Sequence, residues 1–445
     1  MCRPSRPAAT CRALAIAIAA ASMAATTGAS AQERPLVFRG ARIIPIAGAP
    51  IERGVLVVQG GKIVAVGPVD AVRAPSGAQV HDVSGKVIMP GLVDTHSHIG
   101  EGDGGDRSAP IQGDVRILDA VNPRADGLQQ AQAGGITTVN VMPGSGHLMS
   151  GQTVYLKLRD GRTIEDLLVC ADPEREVCGG LKMANGTNPR GNPPWPGTRA
   201  KAAALVREKF VQAVEYRAKL REAERDSTKR PARDLELETL VQVLDGTRVV
   251  HHHTHRHDDI LTVLRLQREF GFRLVLQHAI EGWKVAEEIA RAGVPASIIV
   301  IDAPGGKLEA SEARFETAAI LDRAGVAVAF HTDDGITDSR WFLRSAALAV
   351  RAGMPRERAL QALTSVPARM LDLDRRIGTL EPGKDADFIV LSGDPLSVYT
   401  HVEQTWVEGT RVFDRSDPKD RAYAVGGFKV STDRVVDHHA GMEDH

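Results

Sequence analysis

Val87-Ile-Met-Pro-Gly-Leu-Val-Asp-Thr-His-Ser-His98 contains an apolar run, a Pro90-Gly91 break, a second apolar run and two histidines one residue apart. In a β-strand, side chains two residues apart project to the same face. His96 and His98 can therefore aim at one point from the strand's C-terminal tip, where a strand of an α/β barrel meets its active-site face. Neutral imidazole is the commonest metal-binding side chain. Alone, the pair reads equally as two surface histidines; residues further along decide between the two.

The chain has 445 residues, enough for a large domain and a smaller one. Its 55 Lys+Arg balance 56 Asp+Glu, which leaves no electrostatic footprint for nucleic acid or an anionic membrane. Residues 1–31 read as a secretory signal peptide. Arg3, Arg6 and Arg12 precede the apolar stretch Ala13–Ala25, and Ala29-Ser30-Ala31 offers a small-residue cleavage site before Gln32. The expectation is an exported protein, periplasmic or secreted, with no membrane association after cleavage. Only Cys170 and Cys178 then remain, and in an oxidising compartment they are expected to form a disulfide.

After Gln32 the pattern is β. Gly54–Gln59 and Lys62–Val66 flank Gly60-Gly61, a pair suited to a two-residue primed turn. Ala386–Leu391 and Val402–Phe413 alternate in the same way, so both ends are expected to build one small β-domain. Between them, strand-like and helix-like segments alternate, the signature of βα units and a parallel sheet. The strand candidates after the first are Gly135–Val141, Thr153–Leu158, Gly180–Ala184, Arg248–His253, Phe272–His278, Val294–Ile301 and Val326–His331. With the first they make eight, the number that closes a (β/α)8 barrel. Ile260–Phe270, Lys284–Ala292, Glu312–Ala324, Ser339–Arg351 and the long, charged Ala200–Arg225 are the helix candidates.

The predicted fold is thus α/β, a (β/α)8 TIM barrel with a small composite β-sandwich domain built from both chain ends. Its divisions are the signal peptide (1–31), the N-terminal part of the β-domain (32–88), the barrel (89–371), the C-terminal part of the β-domain (372–415) and a polar tail (416–445).

Three later strand ends carry the remaining pieces. Strand five ends in His251-His-His-Thr-His-Arg-His257, with His251, His253 and His255 on one face; strand six ends in His278; strand eight ends in His331-Thr-Asp333. Imidazoles from three strand ends plus an acid suit Zn²⁺ or another divalent metal, with room for a water. Such an ion brings the water's pKa to about 7 in favourable sites, and a carboxylate can take its proton.

The pattern resembles the amidohydrolase superfamily over essentially the whole mature chain. Pro90–His98 is similar to its first-strand signature, and Gly378–Leu391 to the segment returning to the β-domain. Within it, His253–Ile260, Leu276–Ala279 and Leu181–Ala184 resemble the imidazolonepropionase-like metal-dependent hydrolases. The resemblance implies His96, His98, His253 and His278 as metal ligands and Asp333 as ligand and general base. His255 would stand behind the ligands or face substrate. Relatives commonly read Gly-Glu-Asn-Pro where this chain has Gly186-Thr187-Asn188-Pro189. Thr187 cannot replace a glutamate bridging two metals, which favours one ion over two. A carboxylated Lys182 could bridge instead; an ordinary strand lysine competes with that reading. The cofactor expectation is one or two ions per chain.

The Gly-rich stretch Gly144–His147 lacks P-loop spacing and a following lysine, so it is no phosphate cradle; His147 is a candidate substrate contact. Arg256 could read a substrate carboxylate or pair with Asp258 or Asp259. The leading function is hydrolysis of an amide or cyclic amide of a small molecule, a dipeptide or N-acyl amino acid included. His278-Ala-Ile-Glu281 suggests a heterocycle deaminase, but that needs another strand-end histidine before the Asp333 strand, and none precedes His331. A non-catalytic exported metal-binding protein is the alternative of another class. Homo-oligomerisation is left open.

Overall fold

The computed structural model describes residues 34–102, 104–106, 108–299 and 307–426. The chain divides into two units, Met1–Ala31 and Gln32–His445, and every described residue belongs to the second. The expected signal peptide and most of the expected tail lie outside the described residues.

In chain order the first strands are β1 (Leu36–Arg39), β2 (Arg42–Ile43), β3 (Gly54–Gln59), β4 (Lys62–Pro68), β5 (Gln79–Asp82) and β6 (Val87–Pro90). Then come β7 (Leu92–Ser97), β8 (Ile136–Val141), β9 (Met149–Gln152), β10 (Val154–Lys157), β11 (Leu181–Ala184), β12 (Val250–Thr254), β13 (Leu274–His278), β14 (Ala296–Ile298) and β15 (Val328–Phe330). The last are β16 (Phe388–Leu391), β17 (Val402–Val407) and β18 (Thr410–Asp414).

β3 and β4 pair antiparallel, with Gln59 opposite Lys62. Gly60 and Gly61 both have positive φ, 58° and 74°, as a type I′ turn requires. One sheet runs β4-β3-β1-β5, and a second runs β18-β17-β16-β6-β2, so the second draws strands from both chain ends. Phe38, Phe388 and Trp406 meet between them, with ring centroids 4.8–5.6 Å apart. Aromatic burial of this kind gives short strands the apolar contact they lack alone.

The central strands form two further sheets, β10-β8-β7 and β15-β14-β13-β12-β11-β9. β11 to β15 pair in parallel, as do β7 and β8, in agreement with the βα alternation. The expected third parallel strand needs correcting: β10 is antiparallel to β8, and β9 is antiparallel to β11. A parallel return needs a crossover of about a dozen residues, usually helical, and residues 142–153 between β8 and β10 hold β9 and no helix. The ladders are therefore two sheets, in place of the single ring of eight parallel strands expected. At the β7–β15 seam, Asp333 N donates to His96 O at 2.9 Å.

The helices mostly follow the predicted positions. The long one spans Arg199–Ala223 and is capped by Thr198, whose hydroxyl accepts from Lys201 N. Glu312–Ala324 shortens to Thr317–Arg323, and Leu235–Leu244, unforeseen, is capped by Asp234. The start of the expected tail holds a helix, Pro418–Val425. None of the described helices is long and apolar enough to cross a membrane. Cys170 and Cys178 are joined, with Cα atoms 5.3 Å apart.

Candidate metal centre

The β7–β8 register shifts between Asp94 and Ser97, and such a bulge re-aims the side chains at a strand tip. Asp94 is wholly buried. It accepts from His96 N at 3.1 Å, Thr332 N at 3.2 Å and Thr332 Oγ1 at 2.5 Å. It thus locks the tips of β7 and β15 together. Burial raises its pKa to about 7 against the pull of those donors. Sequence reading passed over Asp94, although its place two residues before His96 was visible.

Above this lock, Asp333 Oδ1 lies 3.2 Å from His96 Nε2 and 3.1 Å from His98 Nε2. His98 Nδ1 sits 2.8 Å from Met142 O, an acceptor that assigns the ring proton to Nδ1. The Nε2 lone pair of His98 then faces a carboxylate oxygen. That contact is repulsive unless a proton or a cation lies between, so the donor set fits a metal ion. Burial holds His96, His253 and His278 well below the ordinary imidazole range, in the neutral form that ligates. Burial alone would raise Asp333, but His96 and His278 beside it hold its carboxyl well below the usual range.

His278 and Asp333 both adopt left-handed backbone, with φ of 67° and 50°. Such residues cost of order 1–3 kcal/mol and persist where surrounding contacts enforce them. Here Ala279 N donates to Thr254 O at 2.9 Å and Ile336 N to Asp333 O at 2.8 Å.

The five expected ligands do not converge on one point. His96, His98 and Asp333 present ligand atoms within 4.8 Å of one another. His253 instead falls in a group with His255 and Glu309. His278 stands between them, its ring centroid 4.8 Å from His96 and 4.5 Å from His253. In the sheet order β12 is separated from β15 by β13 and β14, and His278 at the tip of β13 lies between the two groups. His331 completes a further group with His96 and His278; its Nδ1 is 3.0 Å from Ser297 Oγ and its Nε2 3.1 Å from His278 Nδ1.

Lys182 is fully buried, with Nζ 2.9 Å from His96 Nε2, and burial lowers its pKa to about 7. His255 is buried against His253 and His278, with centroids 4.5 and 5.0 Å away. His147 packs on the loop before it, Nε2 lying 2.6 Å from Asp106 O, and does not join the ligand groups. Arg256 grips Asp258 through two contacts of 3.0 and 2.8 Å, the pairing that competed with its substrate role. Glu281 contacts His257 Nδ1 at 2.6 Å and Lys284 at 3.3 Å, away from the clustered rings. Glu309 was missed because nothing near it in sequence marks a ligand.

A model of the Amidohydrolase family matches residues 181–413. Among curated relatives, amidohydrolase tasK of Hapsidospora irregularis is 27% identical over 82% of this chain, which spans only 39% of that relative's length. A 5-methylthioadenosine/S-adenosylhomocysteine deaminase of Symbiobacterium thermophilum is 25% identical over 81% of this chain and 85% of its own. An imidazolonepropionase of Deinococcus radiodurans is 29% identical over 77% and 86%. A solved amidohydrolase from Thermotoga maritima superposes with a TM-score of 0.80 at 34% identity, covering 85% of this chain and 100% of that one. The fold is accordingly TIM-barrel-like. With the family model covering over half its residues and the solved amidohydrolase matched along its entire length, the chain belongs to the amidohydrolase family and is a hydrolase of carbon–nitrogen bonds.

Proposed function

We propose that this chain hydrolyses the C–N bond of a linear or cyclic amide, in a dipeptide, N-acyl amino acid or similar small molecule, with Asp333 as general base. The observation that carries this reading is the approach of Asp333 Oδ1 to both His96 Nε2 and His98 Nε2, at 3.2 and 3.1 Å. These three residues would hold Zn²⁺ or a related divalent cation, with His278 beside them. Bound there, the ion supplies Lewis acidity and brings a water's pKa toward about 7.

Asp333 enters the reaction as the carboxylate, its carboxyl held well below the usual range. Its Oδ2, 3.9 Å from His278 Nδ1, receives the water's proton and can return it to the leaving nitrogen. Asp94 keeps His96 and Thr332 in place while this happens. Lys182, if carboxylated, would add an oxygen donor next to His96; as a plain amine it only packs there. The deaminase reading finds less support, since Glu281 is tied to His257 and Lys284. Arg256, paired with Asp258, and His147, held on its loop, contribute less to substrate binding than His255 in this reading.

Asp333→Asn tests the reading on a panel of dipeptides, N-acyl amino acids and cyclic ureides. Loss of about 10³-fold in kcat with metal retained is expected of a general base. Undiminished turnover would remove Asp333 from the chemistry. The same reading places the mature chain in the periplasm or medium. N-terminal sequencing should begin at Gln32, and an intact Met1 in the cytosol would refute export.

A further inference from the structure

We infer that Glu309 sets the substrate class: its inward carboxylate oxygen takes the protonated amine of an amide such as a dipeptide and disfavours the N-acylated counterpart. The inference deepens the proposed function and rests on that reading of Asp333. It narrows the substrates to amides that carry a free amine.

Glu309 lies in a single 3-10 turn, Leu308–Ala310, and is only 3% exposed. Its Oε1 has no hydrogen-bonding partner among the described residues, and the same holds for both ring nitrogens of the buried His255. One polar atom each of Glu309, His253 and His255 lies within 4.8 Å of the other two. Buried polar atoms are almost always satisfied, and a buried carboxylate oxygen without a partner is costly. This corner is therefore shaped for a polar group that arrives with the substrate. His278 connects it to the chemistry, with Nδ1 3.9 Å from Asp333 Oδ2 and its ring centroid 4.5 Å from that of His253. A small substrate reacting at Asp333 extends along these rings to Glu309.

The other oxygen of Glu309 is firmly placed. Oε2 accepts from Thr187 N at 2.9 Å and lies 3.6 Å from Arg199 Nη2, while Arg199 is held more closely by Asp259, at 2.8 Å. Two carboxylates thus share one guanidinium, which leaves negative charge at the inward oxygen. Gly186 makes the space: its φ is 86°, and a Cβ there would come within 2.7 Å of Oε2. A carboxylate fixed through one oxygen presents the other in a set direction. An ammonium meets it with three donors and the opposite charge. An acylated nitrogen offers one neutral N–H and adds a carbonyl oxygen that Oε1 repels. Lys307, two residues before Glu309, carries a charge that acts on His253 and His255, but it does not donate to Oε1.

The metal-loaded full-length protein, assayed on alanyl and leucyl dipeptides, their N-acetyl forms and cyclic ureides, decides the matter. For the wild type, kcat/KM should be about 10- to 100-fold higher for each free dipeptide than for its N-acetyl form. Glu309→Gln should lose that preference through the dipeptides alone, with N-acetyl rates, metal content and thermal unfolding unchanged. Equal wild-type rates on both members of a pair would overturn the inference, as would a Glu309→Gln variant that slows both equally or loses metal. Should that variant not fold, the wild-type ratio decides alone. Turnover of cyclic ureides or N-acetyl substrates without dipeptides would also overturn it and leave the proposed function standing. No turnover of any substrate would defeat both.

Discussion

Among the described residues two lysines lie wholly inside the molecule, one in each of the two central sheets, and their surroundings differ in kind. Lys157, on β10, lies 2.9 Å from Asp385, contacts Asp387, and has Glu408 at 3.9 Å. Lys182, on β11, has an imidazole at 2.9 Å and the Met142 sulfur at 3.1 Å. Around Lys157 the carboxylates tie the central strands to the segment leading into β16. Around Lys182 no carboxylate among the described residues is close enough to pair, and burial lowers the ammonium's pKa to about 7. A buried charge with matched partners holds structure together; one without them stands next to chemistry.

The largest effect expected from breaking this contrast is at Lys157. Lys157→Met strands the buried Asp387 and should cost about 3–5 kcal/mol, read from urea denaturation. A loss under about 1 kcal/mol would mean the network contributes little.

His251 supplies an intermediate case, a buried base with neutral partners. Its Nε2 is 3.1 Å from Tyr155 Oη, its Nδ1 is 3.1 Å from Gln277 Nε2, and burial lowers its pKa from 6.5 to about 3. Below pH 6.5 the unfolded ring takes up a proton that the folded ring refuses. Its contribution is therefore present above 6.5 and lost as pH falls toward about 3, by about 1.4 kcal/mol per pH unit. Across that window His251→Gln should flatten the stability-against-pH slope by roughly one proton relative to wild type. Parallel slopes would show the ring protonates in the fold.

The smallest effect belongs to Lys182. Replacing its unmatched ammonium by Met should change stability by no more than about 1 kcal/mol, in the stabilising direction. A cost equal to that of Lys157→Met would erase the distinction between the two lysines.

Legibility in the sequence followed the range of the interaction. The turn at Gly60-Gly61 and the parallel order of β11 to β15 were readable because hairpin and βα signals are local. The direction of β10 was not, because Thr153–Leu158 has the same alternation whichever way it pairs. Only the lack of a helical pattern in residues 142–153 told against a crossover. At the centre, His96, His98, His278 and Asp333 were legible as strand-tip residues. Asp94 and Glu309 were not, since a buried acid in an apolar strand or in a single 3-10 turn carries no periodic mark.

The amino-acid sequence alone determined that imidazoles would gather at the C-terminal tips of strands, because alternate residues of a strand share a face. The tertiary structure alone decided that they fall into three groups among the described residues, two of them sharing His96, and that Glu309 meets position 187 across 122 residues of chain. Which acid faces which ring depends on how loops close over the strand ends, and that closure is set by packing among elements far apart in sequence.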